Sequence, residues 1–353
     1  MTVNTLRLLI DRLERERQLE KSEFITLLEA YQNPELAASL AQRAGAVRDA
    51  AYGRAVFLRG LIEFTNFCKN DCLYCGLRHS NREVERYRLG PEEILERCRL
   101  GRALGFRTFV LQGGEDPYYT DERLVEIIVA LKAAFPDCAV TLSVGEKSRE
   151  SYERYFRAGA DRFLLRHETA DPEHYGKLHP PEMSLTNRQR CLFELKDIGF
   201  QVGAGFMVGS PGQSFASLAD DLLFLQKLSP QMAGVGPFIP HPRTPLGAYP
   251  AGSTELTVFI LGLVRLMLPR VLLPATTALG TLDPQGREKA LNFGANVMMP
   301  NLSPLEVRSK YDIYTGKIHL DEEAAEGLDR LKKHLAQLGY ETPESRGDFK
   351  AFC

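Results

Sequence analysis

Gly60-Leu-Ile-Glu-Phe-Thr-Asn-Phe-Cys68-Lys-Asn-Asp-Cys72-Leu-Tyr-Cys75 reads as a β-strand that runs directly into a loop of three cysteines. Similar apolar, β-branched or glycine-containing runs recur along the chain. They fall near 56–64, 108–112, 139–144, 162–168, 201–208, 232–239, 272–278 and 295–299. Amphipathic segments separate most of them, such as PEEILERCRLGRALG (91–105), DERLVEIIVALKAAF (121–135) and SLADDLLFLQKL (217–228). The runs start about 20 to 50 residues apart, enough for one crossover helix each. Eight strands alternating with helices predict an α/β fold, a complete (β/α)8 TIM-type barrel. An open doubly wound sheet is the alternative; the strand count and the lack of a second visible domain favour the barrel. Active sites of such barrels stand at the C-terminal ends of the strands, where the cysteine loop falls.

Outward from the barrel, residues 1–50 read as helices packing on it. Leu6, Leu9, Ile10 and Leu13 form one stripe, Phe24, Leu27, Leu28 and Tyr31 a second, and Asn33-Pro34 opens a further helix. The barrel is expected over 51–318. Residues 319–353 add a C-terminal helix, in DEEAAEGLDRLKKHLAQL, and a polar tail, ETPESRGDFKAFC, expected to be loosely held. With 44% hydrophobic and 25% charged residues the composition is that of a soluble globular protein. A net charge of −2 offers no broad attraction to nucleic acid or to an anionic membrane. No apolar run reaches the length of a membrane span, and MTVNTLRLLIDRLERERQLE lacks the apolar centre of a secretory signal. A cytoplasmic protein is expected. The cysteine count is seven, an odd number with three in one short loop, which suits reduced thiols serving a metal better than a disulfide scaffold.

The loop spacing is C-x3-C-x2-C. Three thiolates this close can hold three irons of a cubane and leave the fourth iron open to an outside molecule. The competing reading is a structural zinc site completed by His79. Other strand ends also carry polar or small residues. Leu111-Gln112-Gly113-Gly114-Glu115 ends the second strand, and glycine lets backbone approach a ligand closely. Ser143 closes the third. In Phe163–Thr169 the alternation puts Arg166 and Glu168 on one face and His167 on the outer one. Two charges facing a barrel lumen are costly unless paired or bound to ligand, so a structural ion pair competes with a binding role. Gly203 and Gly205 leave space inside strand five. Met207 is either a ligand contact or a core methionine. Thr276 and Thr277, on strand seven, and Tyr311 after strand eight offer hydroxyls; the threonines are also plain β-formers.

The C-x3-C-x2-C loop, with aromatic Tyr74 before the last cysteine, resembles the signature of the radical S-adenosylmethionine (SAM) superfamily. The resemblance implies a [4Fe–4S] cluster on Cys68, Cys72 and Cys75, with SAM chelating the open iron. An electron from the reduced cluster then cleaves the sulfonium to a 5′-deoxyadenosyl radical, while the protein positions the reactants and excludes water. It further implies a SAM cradle of Tyr74, Gln112, Gly113, Gly114, Ser143, Glu168, Arg188, Met207 and Ile239. Within it the glycine motif faces the SAM amino group, Arg188 the carboxylate, and the backbone near Ile239 the adenine.

Longer stretches, among them RGLIEFTNFCKNDCLYCGLR, LLRHETAD, GAGFMVGSPGQ, PFIPHPRTPL, ATTALGT and GANVMMPNLSP, look like the HydE-type maturases of [FeFe]-hydrogenase over about 55–318. That likeness implies an anionic organometallic substrate, an iron complex of cysteine, CO and cyanide, held by Arg166, Thr276, Thr277 and Tyr311. It also implies an electron donor such as ferredoxin or flavodoxin and other hydrogenase maturases as partners, with no nucleic acid and no membrane. Methylornithine synthase and biotin synthase are relatives and stay open as alternatives, as does a non-catalytic iron–sulfur scaffold. Biotin synthase needs a second cluster held from the strands, whereas Cys98 and Cys191 fall in helical segments and Cys138 lies just before strand three. Some HydE proteins carry an accessory cluster on three cysteines after the barrel; here His319 is followed by no cysteine until Cys353.

Overall fold

A computed structural model describes residues 3–318 and 324–351 of the chain; His319 and Cys353 lie outside the described residues. Three helices come first: α1 (Val3–Glu16), α2 (Lys21–Glu29) and α3 (Pro34–Tyr52). The last opens on an Asn33 cap, whose Oδ1 accepts from Leu36 N–H at 3.0 Å with Pro34 at the first helical position. The strands are β1 (Phe57–Leu58), β2 (Gly60–Thr65), β3 (Thr108–Gly113), β4 (Ala139–Ser143), β5 (Arg162–Leu164), β6 (Gln201–Ala204), β7 (Met207–Val208), β8 (Met232–Ala233), β9 (Gly236–Pro237) and β10 (Val297–Met298). Between and after them lie α4 (Pro91–Ala103), α5 (Asp121–Ala134), α6 (Arg149–Arg157), α7 (Pro172–Leu178), α8 (Leu185–Ile198), α9 (Phe215–Leu228), α10 (Thr254–Met267), α11 (Thr277–Leu282), α12 (Gly286–Asn292), α13 (Leu305–Arg308) and α14 (Ala324–Gln337).

The parallel ring closes. β2, β3, β4, β5, β6 and β8 pair in that order. Met232 then bridges Leu272, Pro274 bridges Val297, and β10 returns to β1 through Phe57↔Val297 and Leu58↔Met298. Counting β1 with β2, β6 with β7, β8 with β9, and the bridged Leu272–Pro274 as one run each, the barrel has its eight strand positions, as the sequence predicts. The N-terminal helices cover one side: α1 and α3 pack on α10, and α2 on α9. That cover explains why α10, TELTVFILGLVRLM, is buried on every face. No helix among the described residues is long and apolar enough to cross a membrane.

Three expectations need correction. First, the later runs are not continuous strands. β5 ends at Leu164, and Glu168 turns to φ 65. Gly205 then breaks the next run at φ 149, where a Cβ would lie 2.0 Å from Gly234 O. Second, Thr276 and Thr277 are not strand residues. Thr276 caps α11, its Oγ1 accepting from Leu279 N–H at 3.4 Å, and Thr277 is the first helical residue. Pro274, without an N–H, cannot carry the ladder further on its own. Third, the polar tail, through its described residues, is tied to the barrel. Glu341 bridges Ala55, Arg346 O accepts from Thr108 Oγ1 at 2.8 Å, and Asp348 Oδ1 lies 2.7 Å from Arg162 Nη2. Arg162 is fully buried at the start of β5. The tail supplies the carboxylate and carbonyl that a buried guanidinium requires, and so covers the N-terminal face of the barrel.

Candidate active site

The candidate residues gather on the opposite face from the tail: Gln112, Gly113 and Ser143 end their strands, Met207 lies in β7, Arg188 in α8, and the others follow strand ends. The cysteine loop leaves β2 and is tied to its surroundings through the backbone. Lys69 N–H donates to Glu115 O at 2.9 Å, Leu73 N–H to Leu178 O at 2.9 Å, and Gly76 N–H to Ile313 O at 3.1 Å. Arg78 clamps Asp71 with two hydrogen bonds of 2.8 and 2.6 Å. Glycine is required at two close approaches. A Cβ on Gly114 would stand 2.2 Å from Phe67 O and 2.7 Å from Cys68 Cβ; one on Gly76 would stand 2.1 Å from Asp312 O. Cys68, Cys72 and Cys75 are half-buried and free. Burial raises all three thiols, and neighbouring thiols add to it for Cys72, pushed far up, and for Cys75, pushed to about 12. They hold their protons until a cation displaces them. His79 is exposed, and among the described residues no three His, Cys, Asp or Glu side chains meet at a single-ion site.

Inside the barrel, Arg166 Nη2 lies 3.1 Å from Glu168 Oε2, so the two do share a face. The contact leaves polar atoms unmet: Arg166 Nε, Glu168 Oε2 and Thr141 Oγ1 are buried without a hydrogen-bond partner. Each such atom costs about 1–3 kcal/mol unless a ligand or water meets it. His167 points outward, as expected: it is fully buried against Phe206 and Phe224, with Nε2 3.2 Å from Asp221 Oδ1. Arg188 reaches in from α8. Its Nε donates to Glu146 Oε1 at 2.5 Å and its Nη1 to Arg166 O at 2.7 Å. Burial alone would lower its pKa, but Glu146 outweighs it and raises it.

The remaining candidates gather round the loop. Gln112 Nε2 donates to Tyr311 OH at 3.4 Å, and Tyr311 packs with Leu77 beside Cys75. Tyr74 OH lies 3.4 Å from His179 Nε2, and Met207 packs with Leu73, Tyr74 and Phe238. Ser143 pairs with Gln112 in the sheet, and Gly113 follows it. Ile239 is buried two residues past β9. The Thr276 hydroxyl faces β9, 3.2 Å from where a Cβ on Gly236 would be.

The Radical SAM superfamily profile matches residues 62–225. The [FeFe] hydrogenase maturase subunit HydE of Thermotoga maritima is 48% identical over 301 residues, covering 85% of this chain and 86% of that protein. The chain belongs to the radical SAM superfamily. The 3-methylornithine synthase of Methanosarcina acetivorans is 32% identical over 309 residues, 86% of this chain and 85% of that one. The crystal structure of methylornithine synthase (PylB) superposes with a TM-score of 0.82 at 29% identity, covering 95% of this chain and 97% of that one. HydG, a maturase of the [FeFe]-hydrogenase, superposes with a TM-score of 0.81 at 18% identity, covering 98% of this chain and 77% of its own, a likeness of fold alone.

As a radical SAM enzyme the chain uses a [4Fe–4S] cluster and SAM, and its residues fit both. The donor set is three thiols on one short loop, a number that leaves one corner of a cubane open. The unmet Arg166, Glu168 and Thr141 atoms suit a ligand bearing ammonium, carboxylate or hydroxyl groups. Sequence reasoning missed a second charged pair of the radical SAM barrel. Lys317 Nζ lies 2.5 Å from Glu63 Oε1, and Asn301 Nδ2 donates to Glu63 Oε2 at 2.8 Å, both charges being nearly fully buried. An acid inside the otherwise apolar GLIEF run was the available signal for Glu63; Lys317 is 254 residues away and gave none. Glu146, the partner of Arg188, was also missed.

Proposed function

We propose that this enzyme acts in maturation of the [FeFe]-hydrogenase active site, on an iron complex bearing cysteine, CO and cyanide. The observation that carries the reading is the 48% identity with HydE across nearly the whole barrel, against 32% for the methylornithine synthase. When bound, the cluster supplies the electron that cleaves the SAM sulfonium bond. The chain supplies the rest. Cys68, Cys72 and Cys75 hold three irons. Glu168 accepts from SAM, with the backbone at Gly113 and Gly114 and the neighbourhood of Tyr74, Gln112, Ser143, Met207 and Ile239 completing the cradle. Arg188, whose Nε and Nη1 are taken by Glu146 and Arg166 O, steadies Arg166 from behind as well as adding charge near the SAM carboxylate. Arg166, Thr276, Thr277 and Tyr311 receive an anionic substrate, and closure of the opposite barrel face keeps water from the reacting groups. Ferredoxin or flavodoxin delivers the electron, other maturases exchange the product, and the reaction belongs in the cytoplasm. Residues 1–50 serve as a cover, 51–318 as the catalytic barrel and 319–353 as its closing segment.

Anaerobic reconstitution tests the chemistry: about four irons per chain and 5′-deoxyadenosine after reduction with SAM are expected. A colourless protein holding one zinc would sink it. Restoring hydrogenase activity to a strain lacking its own HydE tests the assignment. The likeness to PylB favours one competitor, a lysine mutase. Methylornithine formed from lysine, with no rescue of hydrogenase, would establish that reading instead.

A further inference from the structure

Arg86 lies outside every motif read above. It follows the cysteine loop, and its guanidinium reaches back to it. Nη1 donates to Asn66 O and, at 2.9 Å, to Leu77 O; Nη2 donates to Arg78 O at 2.8 Å and to Asn81 O at 3.2 Å. Asn66 precedes Cys68, whereas Leu77 and Arg78 follow Cys75. One planar fork therefore ties the incoming and outgoing ends of the loop together. Among the described residues no carboxylate pairs with it, and carbonyls do not cancel a charge. That charge acts on both Cys68 and Cys75. A rigid five-donor fork can bridge four carbonyls; an ammonium cannot hold the same geometry. A positive charge beside a cubane stabilises the form with one more electron, and so raises its reduction potential.

We propose that Arg86 is a positioning residue that shapes the cysteine loop before iron arrives and raises the reduction potential of the cluster bound there. The proposal rests on the three-thiol cluster reading, which fails separately if the parent chain itself takes up no [4Fe–4S] cluster. The test compares full-length R86Q and R86K with the parent, each reconstituted anaerobically. Iron retention against a chelator and the midpoint of a redox titration followed by electron paramagnetic resonance are the readouts. R86Q is expected to shift the reduction equilibrium about tenfold toward the oxidised form, about 59 mV lower for one electron. R86K should keep most of the potential yet lose iron about tenfold faster than the parent, because the fork is gone. An unchanged midpoint in R86Q overturns the electrostatic part, and unchanged iron retention in both variants overturns the staple. Circular dichroism of the iron-free chains is expected to match the parent. Should R86Q fail to fold, R86K decides alone, and parent-like iron retention in it overturns the proposal.

Discussion

Glu168 holds φ 65, the left-handed region that a residue with a β-carbon occupies at a cost of about 1–2 kcal/mol. Its neighbours impose it. The N–H groups of His167 and Glu168 both donate to Gly205 O, at 2.9 and 3.1 Å, and Glu168 O accepts from Met207 N–H at 3.3 Å. The twist brings Oε2 to 3.1 Å from Arg166 Nη2, yet leaves it without a hydrogen bond. Such strain is kept only where surrounding structure enforces it, and it suits the binding role proposed for Glu168. Two substitutions separate the side chain from the backbone. Glu168→Ala and Glu168→Gly should abolish SAM cleavage alike. The Gly variant should nevertheless be the more stable by about 1 kcal/mol in urea unfolding, the reverse of the usual order. Equal midpoints would show that the left-handed turn stores no strain.

The segment around Glu168 is held from outside by α9. His167 Nδ1 accepts from Gly205 N–H at 3.3 Å, its Nε2 faces Asp221, and Asp221 Oδ1 accepts from Ala170 N–H at 2.5 Å. Burial drives both partners to their neutral forms: His167 falls to about 3, helped by the charges of Arg166 and Arg188, and Asp221 rises well above the usual carboxylate range. A carboxyl that is protonated when folded stabilises most at low pH. Its contribution is lost as pH climbs from the unfolded value of 3.8 through the folded one. Asp221→Asn should therefore keep the fold at pH 7 and flatten that loss, whereas Asp221→Ala should cost about 2–3 kcal/mol by stranding Ala170 N–H and His167. Melting curves from pH 5 to 8 check it, and a matching slope in parent and Asn variant would refute the neutral pair. This layer also marks what the sequence could reveal. Alternation put Arg166 and Glu168 together and His167 outside, and that much is local. It could not show the strand ending at Leu164, because the alternation continues through the break. Arg188, by itself a solvated helix charge to sequence reading, is buried; its place three residues after Leu185 and four before Leu192, on the buried stripe of α8, was the available signal. Thr276 and Thr277 misled because β-branched residues suit strands and helix starts alike.

Across the molecule, the N-terminal helices and the described part of the tail cover the barrel away from the cysteine loop. The tail's part is electrostatic as well as steric. Asp348 accepts from Arg162 at 2.7 Å and from Gln201 Nε2 at 2.9 Å, and Arg346 Nε donates to its other oxygen at 2.9 Å. Burial alone would raise the Asp348 carboxyl, but Gln201, Arg162 and Arg346 prevail and hold it at about 2 against 3.8. A carboxyl lowered in the folded state stabilises fully above its unfolded pKa and stops doing so as pH falls from 3.8 toward 2. Asp348 is two-fifths exposed, so solvent screening reduces the gain to about 1 kcal/mol. Asp348→Asn in the iron-free chain should thus be less stable than the parent by about that amount at pH 7, and the gap should close as pH approaches 2. Urea midpoints at pH 7, 4 and 3 measure it. Because the tail seals the face opposite the cysteine loop, the same variant should also let water reach the lumen from below. Faster hydrogen exchange at Thr108, Arg162 and Gln201, at the starts of their strands, would accompany the lost stability. A variant that matched the parent in both measurements would mean that Arg162 is satisfied by the Arg346 carbonyl, Thr108 Oγ1 and Gln201 Oε1 without a carboxylate, and that the tail seals the barrel by shape rather than by charge.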